Sequence, residues 1–506
     1  MATLTVTKFL FAVDKRTMCG FAVAAALGVL VATYPLVGLA GLPVCVTLYG
    51  IRRWFRERLE FWQVLVLLAM TPYFILNYGF DNLAVGGAGF RFPVGDLLMF
   101  LALVLVILGK QRGMLHSTML DSTVVCLIAL LLLSCAHLIV DVPQYGLYAL
   151  RDSSMFFEAV FLMLGMVWAQ NARSTQLLTR WLFFVFFVNL FYSYSFSWGE
   201  QIRAISPSAG VFHSVPLFGN YQGSALWLLL GAPFFVWLGP SIVRWPRWVL
   251  VVLAAAQLGG LAILQARSMY VGIAIILLIL LMLGEAKKLL SFVSTLVWGT
   301  GVLAVLLLVV SLAGIEVQGR MGPVDFSFIA NQTKTLLDLG DTNARMSHDA
   351  DRGKWYQEVW DRIRSSPSHL VVGEGFGQTL ISSENDEGIP VRQPHNSSLS
   401  VLARLGFVGL SLWLMFIVLV FARYVGFLRM PYTSARVSSL VVWLLCTFVL
   451  SLLEASVQPS FEFSSGASPF YFLSGFGLGI IRCQQREPLT ASLAASSKKA
   501  SITSTH

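Results

Sequence analysis

Residues 289–313 read LLSFVSTLVWGTGVLAVLLLVVSLA, 25 positions without a single Asp, Glu, Lys or Arg. About 20 apolar residues are enough for a helix to cross the roughly 30 Å of hydrocarbon in a bilayer. Because that layer offers no water to exposed backbone groups, an apolar run of this length crosses it as a helix. The stretch therefore predicts an integral membrane protein.

Similar apolar runs recur along the whole chain. Of the 506 residues, 57% are hydrophobic and only 12% are charged, which excludes a soluble globular protein. We predict an all-α integral membrane protein with 12–14 transmembrane helices. The predicted spans are 19–33, 36–50, 61–78, 96–109, 119–140, 153–170, 181–197, 224–238, 248–265, 268–284, 289–313, 397–421, 437–453 and 469–481.

The distribution of Lys and Arg predicts the orientation of these spans. If the N-terminus is cytoplasmic, the inner segments hold 22 basic residues and the short outer loops hold four. Short cytoplasmic loops collect basic residues, so we predict a bacterial inner-membrane protein with both termini in the cytoplasm. The net charge of +9 follows from this topology. It does not indicate a nucleic-acid partner, because the basic residues lie in short clusters between apolar runs.

One long polar loop interrupts the apolar pattern. We predict a transmembrane bundle at 1–313, a periplasmic loop module at 314–396, further transmembrane helices at 397–483 and a disordered cytoplasmic tail at 484–506. Within the loop, Trp355, Val359 and Ile363 recur at four-residue steps, and Pro367 follows. This spacing predicts a short amphipathic helix over 347–366 that ends before the proline. A second amphipathic helix is predicted over 326–339.

His395 directly precedes the predicted helix that follows the loop, in the sequence Pro394-His395-Asn396. A helix N-terminus carries partial positive charge, which disfavours imidazolium and keeps the ring available as a proton acceptor. The structural alternative is that Pro394 and Asn396 start and cap the helix while His395 is an exposed loop residue. Upstream, Gly375 is the centre of the run Gly373-Glu374-Gly375-Phe376-Gly377. That run predicts either a tight turn passing close to a ligand or to the membrane domain, or a plain flexible loop.

Two arginines are candidates for binding an anion. Arg267 lies in a very short outer turn between two apolar helices, where an ionisable residue is either functional or positioned at the membrane surface. Arg352 begins the predicted loop helix, and its alternative is an ordinary solvent-facing side chain. Arg203 and Arg392 are further candidates for substrate binding, both in loops on the outer side. The sequence contains no nucleotide-binding lysine loop and no zinc-protease motif, and its cysteines imply no disulfide or metal site.

Taken in order, these residues resemble a known family. Ala266-Arg267-Ser268, Arg352-Gly353-Lys354-Trp355, the glycine run, and His395-Asn396 leading to Leu405-Gly406 are similar to the O-antigen ligase and O-antigen polymerase superfamily of WaaL-like and Wzy-like proteins. The resemblance covers mainly residues 257–415. It implies a GT-C-like membrane glycosyltransferase that moves a glycan from undecaprenyl diphosphate to a glycan or lipid-linked acceptor, with no metal or other cofactor.

The resemblance also implies roles for individual residues. His395 would match the loop histidine of the family, and Arg267 and Arg352 its two functional arginines, so these three are the predicted catalytic residues. Arg203, Arg392, Asn396 and Gly375 are predicted to contribute to substrate binding. Besides the donor and acceptor, the expected partners are membrane lipids and a chain-length regulator.

Three alternatives concern the activity itself. A count of up to fourteen spans favours a polymerase of exopolysaccharide or O-antigen repeats over a ligase that attaches the glycan to lipid A core. A polysaccharide or lipid-glycan transporter would instead have inverted internal repeats and charges along a central path, and the sequence shows neither. A non-catalytic scaffold would leave the set of two arginines and a histidine without a purpose.

Overall fold

The computed structural model describes residues 59–85, 92–207, 216–312, 318–320, 322–324, 343–384, 390–430 and 434–503. The predicted spans 19–33 and 36–50 and the predicted amphipathic helix 326–339 lie outside these residues.

The first half of the described chain is a series of helices with one short ladder. The elements are α1 (Phe61–Ile75), α2 (Tyr78–Asp81), β1 (Ala84–Val85), β2 (Phe92–Pro93), α3 (Val94–Leu108), α4 (Arg112–Met119), α5 (Ser122–Tyr145), α6 (Leu147–Asp152), α7 (Ser154–Glu158), α8 (Phe161–Trp168), α9 (Ala172–Tyr194), a 3-10 helix (Ser195–Trp198), α10 (Gly199–Ile205), α11 (Ser224–Trp237) and α12 (Gly239–Ile242).

The second half contains the long loop between two membrane helices. The elements are α13 (Arg247–Leu264), α14 (Arg267–Met282), α15 (Ala286–Leu312), β3 (Gln318–Gly319), β4 (Gly322–Pro323), α16 (Asn343–Arg364), α17 (Pro367–Val372), β5 (Ser383–Glu384), β6 (Pro390–Val391), α18 (Ser397–Leu428), α19 (Ala435–Val457), a 3-10 helix (Ser460–Glu462) and α20 (Ser464–Thr503). Within the described residues, β1–β2, β3–β4 and β5–β6 are two-residue antiparallel pairs.

Length and composition identify the helices that cross the membrane. Over the described residues, six segments are long and apolar enough, and α3 and α4 pass as a seventh only if taken together across a bend of 102°. The six are Ser122–Tyr145, Ala172–Ile205, Arg247–Leu264, Ala286–Val305, Ser397–Leu428 and Ala435–Val457. Four shorter apolar helices fall on other predicted spans: Phe61–Ile75, Ser154–Trp168, Ser224–Trp237 and Arg267–Met282. The prediction of an all-α integral membrane protein is confirmed, and the count of 12–14 spans stays a prediction.

Aromatic side chains fill the centre of the bundle where α1, α9, α11 and α19 meet. The Phe186 ring centroid lies 6.3 Å from that of Phe74 and 5.1 Å from that of Phe234, and Phe234 lies 5.0 Å from Trp443. All four side chains are fully buried. Trp443 also donates its indole N–H to the carbonyl oxygen of Leu230 (2.9 Å). Large apolar rings with satisfied polar atoms make this part of the bundle a rigid scaffold.

Small residues set the closest helix contact, between α8 and α20. A Cβ atom added at Gly165 would lie 2.0 Å from the carbonyl oxygen of Phe472, and one at Gly475 would lie 1.9 Å from that of Leu162. Glycines at such positions let helix backbones approach closely, as is common in membranes. Beyond this contact, α20 continues to Thr503. Residues 484–503 are therefore helical, whereas the sequence predicts a disordered tail there.

The predicted loop helix is present, and its observed ends lie two to four residues from the predicted ends. The structure places α16 at Asn343–Arg364, and Ser366 and Pro367 end it by starting α17, where the Ser366 side chain accepts a hydrogen bond from the Ser368 N–H. Val359 and Ile363 are buried against Leu380, Ile381 and Leu402, so α16 packs on α18 through the predicted apolar face. We call the end of the bundle that bears α16 and α17 the loop end.

Candidate functional site

His395 lies at the mouth of α18, between the buried Pro394 and the helix cap Asn396. Asn396 accepts a hydrogen bond from the Leu399 N–H (3.0 Å), as the capping alternative requires. His395 itself has a φ of +53°, in the left-handed region that few residues other than glycine adopt. Its ring packs edge-on against Trp355 of α16, with 5.1 Å between centroids. The histidine is therefore held in a strained and defined position rather than exposed on a free loop.

Arg352 is the charged neighbour of this histidine. Burial and the positive charge of Arg352 together lower the pKa of His395 below its usual value. Both effects disfavour the imidazolium form, so the ring is neutral near pH 7 and has a lone pair to accept a proton. Arg352 and Trp355 are on the same helix, one turn apart, and α16 thus supplies both the charge and the aromatic contact.

Arg267 begins α14, directly after the turn that ends α13. Gln265 makes that turn with a φ of +51°, and its side-chain amide donates to the carbonyl oxygen of Gly322 (3.2 Å). The Arg320 N–H donates to the carbonyl oxygen of Ile263 (3.2 Å), so the β3–β4 ladder covers the same turn. His395 has charge and ring interactions with Arg352 and Trp355 of α16.

Arg392, predicted to bind substrate, is engaged by another part of the protein. It donates to Asp152 through Nη2 (2.8 Å) and Nε (3.4 Å) and to the carbonyl oxygen of Gly377 (2.8 Å). Its guanidinium also lies 4.7 Å from the ring centroid of Tyr148. Asp152 accepts a further hydrogen bond from Arg404 Nη2 (3.0 Å), so one buried carboxylate serves two arginines.

Sequence reasoning missed Asp152, although a signal was present. Asp152 directly follows Arg151 in a short outer loop at the end of a predicted span, and a carboxylate there is a natural partner for a buried guanidinium. Arg404 gave a second signal, since it lies only eight residues into a membrane helix where an unpaired charge is costly.

Gly375 faces the membrane bundle. It has a φ of +84°, and a Cβ added there would lie 2.5 Å from Oδ2 of Asp141 in α5. The same carboxylate accepts a hydrogen bond from the Phe376 N–H (2.7 Å). Among the two alternatives for the glycine run, the structure shows a tight turn against the bundle, because a side chain at Gly375 would overlap Asp141.

The glycine segment, residues 373–377, also forms hydrogen bonds with α18 at the point where that helix is interrupted. Gly406 has φ 63° and ψ −165°, which interrupts the helix after Leu405. The Glu374 N–H donates to the carbonyl oxygen of Ala403 (2.8 Å), and the Gly375 N–H donates to that of Arg404 (3.1 Å). The loop backbone thus satisfies carbonyl groups that the interrupted helix leaves without partners.

Arg203 lies in a different outer segment from the other candidate residues. It is exposed on α10, donates weakly to the carbonyl oxygen of Gly219 (3.4 Å), and interacts electrostatically with Tyr192 and Tyr221. The structure therefore places it beside the 216–222 segment.

Glu462 is a further group that sequence reasoning did not identify. It lies beside the first turn of α18 and accepts a hydrogen bond from the Ser397 hydroxyl (3.3 Å). Burial raises the pKa of Glu462 to about 7, and the hydrogen bond from Ser397 and the charge of Arg404 oppose that rise only in part. The mouth of α18 therefore holds a second titratable group that changes charge near neutral pH.

A comparison with curated proteins found no match. A comparison with protein families matched residues 249–414 to O-antigen ligase. The matched range begins in α13 and ends within α18, so it contains Arg267, Arg352, Gly375 and His395 but not Arg203. The match covers about a third of the chain and, together with the all-α membrane architecture, supports an assignment to the O-antigen ligase and polymerase superfamily.

Proposed function

We propose that this protein transfers a glycan from undecaprenyl diphosphate to a sugar hydroxyl at the periplasmic face of the bacterial inner membrane. In this proposal the product is a polymer of exopolysaccharide or O-antigen repeat units. The observation that carries it is the packing of His395 against Trp355, beside the positive charge of Arg352 on the same helix, at the loop end of a membrane bundle that matches the O-antigen ligase family.

The orientation in this proposal rests on the charge distribution. With 22 basic residues in the inner segments against four in the short outer loops, the loop end is on the periplasmic side. Lipid-linked glycans presented in the outer leaflet then reach the mouth of α18 from the membrane. The apolar outer surface of the bundle accommodates the polyprenyl chain beside the site.

In the proposed reaction His395 is the general base. The acceptor hydroxyl oxygen attacks the anomeric carbon as His395 takes its proton, and the bond between that carbon and the phosphate oxygen breaks. Attack from the side opposite the leaving group inverts the anomeric configuration. Such a base typically contributes about 10² to 10⁴ in rate. A ring already deprotonated near pH 7 accepts this proton without losing one first.

The leaving diphosphate is the second requirement of the reaction. Negative charge grows on it as the glycosidic bond breaks, and a guanidinium group holds phosphate oxygens through paired N–H donors. We assign this role to Arg352, which is already beside His395, and to Arg267 at the α13–α14 turn. The two arginines lie on separate helices, α14 and α16. In this proposal both bind the same diphosphate.

The acceptor distinguishes two versions of the same chemistry. A polymerase adds the glycan to another lipid-linked repeat unit, whereas an O-antigen ligase transfers it to lipid A core. The predicted span count favours the first, and the description of the matched family is that of the second. A chain-length regulator is the expected protein partner of the first version only.

The test uses the purified full-length protein in proteoliposomes with an undecaprenyl-diphosphate-linked repeat unit as donor. Either the same lipid-linked repeat or lipid A core is supplied as acceptor. We expect His395→Ala to lower the rate of glycan transfer by at least about 10²-fold. His369→Ala is the matched control, because His369 lies in α17 of the same loop and its Nδ1 lies 3.3 Å from the hydroxyl oxygen of Ser365.

The outcomes separate the alternatives. Product on the lipid-linked repeat supports polymerisation, and product on lipid A core supports ligation. Equal rates for His395→Ala and wild type at equal protein amounts contradict the catalytic role. Movement of the lipid-linked glycan across the bilayer without a new glycosidic bond identifies a transporter.

A further inference from the structure

We propose that Asp152 is a positioning residue, which holds the segment carrying His395 in place through Arg392. This inference rests on the proposed function, because positioning matters only if His395 acts on a substrate. Asp152 touches neither His395 nor, in this proposal, the substrate.

Asp152 is the point where three segments of the loop end meet. Its side chain is 1% exposed, and its Oδ2 accepts hydrogen bonds from Arg392 Nη2 (2.8 Å), Arg404 Nη2 (3.0 Å) and the Gly377 N–H (3.2 Å). Oδ1 accepts a longer one from Arg392 Nε (3.4 Å). One carboxylate at the end of α6 therefore ties the glycine segment, the residues before His395 and the first turns of α18 to each other.

The charge balance makes this carboxylate hard to replace. Arg392 and Arg404 carry two positive charges with side chains only 12% and 4% exposed, and both pair with Asp152. Their other hydrogen-bond acceptors are carbonyl oxygens, those of Gly377 for Arg392 and of Gly375 and Gln378 for Arg404. Carbonyl oxygens orient a guanidinium but do not neutralise it. Without Asp152, both arginines lose the carboxylate that they pair with in a desolvated region, and Arg404 keeps the electrostatic attraction of Glu374 and Glu462.

The connection from Asp152 to His395 is short. Arg392 precedes His395 by three residues, and the residue between Gln393 and His395 is a buried proline with a restricted backbone. A displacement of Arg392 therefore changes the position of His395, whose left-handed backbone already depends on its surroundings. Since a catalytic group displaced by about 1 Å can lose about 10²-fold in rate, the anchor is expected to affect turnover.

The experiment measures kcat, donor KM, protein amount and Tm for purified variants in the same proteoliposome assay. Asp152→Asn is expected to lower kcat by about 10²-fold while donor KM changes by less than about threefold, because the diphosphate-binding arginines are retained. It also lowers Tm, because both buried arginines lose the carboxylate that they pair with. The double variant Asp152→Asn/Arg392→Gln removes one of the two charges, so Tm recovers while kcat stays low.

A purely structural role predicts a different result, since kcat and Tm would then recover together in the double variant. That recovery, or an Asp152→Asn protein with kcat within about threefold of wild type, overturns the inference. Asp121→Asn is the matched control, because Asp121 accepts a hydrogen bond from Arg423 at the opposite end of α18. It should leave kcat unchanged. His395→Ala is assayed in parallel: if it stays active, the proposed function fails whatever Asp152→Asn does.

Discussion

Replacing Gly375 by alanine would test whether the glycine segment docks the loop onto the bundle. Gly375 has a φ of +84°, and an added Cβ would lie 2.5 Å from Oδ2 and 2.8 Å from Oδ1 of Asp141. Because backbone lies on one side and a buried carboxylate on the other, the methyl group has no room without moving the segment. The substitution therefore combines backbone strain with the loss of a specific contact.

The size of the effect follows from two contributions. A residue other than glycine in a sparsely populated backbone region costs roughly 1–3 kcal/mol. The hydrogen bond from the Phe376 N–H to Asp141 (2.7 Å) is lost when the carboxylate is displaced, and hydrogen bonds to charged groups contribute roughly 1.5–3 kcal/mol. The sum is roughly 2.5–6 kcal/mol against the docked loop. At about 1.4 kcal/mol per factor of ten, the docked loop becomes roughly 10² to 10⁴ times less favoured relative to the undocked one.

Hydrogen–deuterium exchange read by mass spectrometry measures this docking directly. In Gly375→Ala the amides of residues 373–377 should exchange faster, and glycan transfer should fall in the same preparation. Gly353→Ala is the control, since Gly353 lies in α16 and an added Cβ there meets nothing within 4 Å. If Gly375→Ala shows the exchange pattern and transfer rate of wild type, the docking argument is wrong.

Further predictions concern the mouth of α18. Arg352→Gln removes the positive charge that helps to lower the pKa of His395, so the acid limb of the pH–rate profile should move to higher pH; a limb that stays in place contradicts the coupling. Asn396→Ala removes the cap of α18 and should lower the unfolding free energy by about 1 kcal/mol in a denaturant titration, and no loss would mean that the cap is dispensable. Glu462 binds its proton more tightly in the folded protein than in the unfolded chain, so stability falls as pH rises through about 7. Glu462→Gln should therefore raise Tm more at pH 8 than at pH 5, and an equal shift at both pH values would contradict this.

The apolar runs predicted the helices well because the bilayer leaves little choice of structure. The predicted spans 224–238, 248–265 and 268–284 correspond to Ser224–Trp237, Arg247–Leu264 and Arg267–Met282, each within two residues at both ends. Hydropathy does not predict breaks within a span. The predicted span 153–170 consists of α7 and α8 with a break at residues 159–160, and Gly406 interrupts α18. A short irregularity changes backbone direction without changing composition.

The site was only partly predictable, for a different physical reason. The sequence identified His395 and Arg352 as candidates, and the structure brings them together through α16. It also identified Arg392 as a candidate for substrate binding, which stays a prediction, but it did not indicate that Asp152, 240 residues away in sequence, pairs with the Arg392 guanidinium. Charge pairing over such a separation leaves no periodicity in the sequence. Only the fold decides which carboxylate reaches which guanidinium.

The interruption at Gly406 has a consequence for how the loop can vary. Main-chain atoms make the junction between residues 374–375 and the carbonyl oxygens of Ala403 and Arg404, so it does not depend on the side chain at 374. Substitutions at residue 374 can therefore change the side chain that pairs with Arg362 without removing these two hydrogen bonds. The loop is thus joined to α18 by backbone N–H donors, which every amino acid except proline can supply.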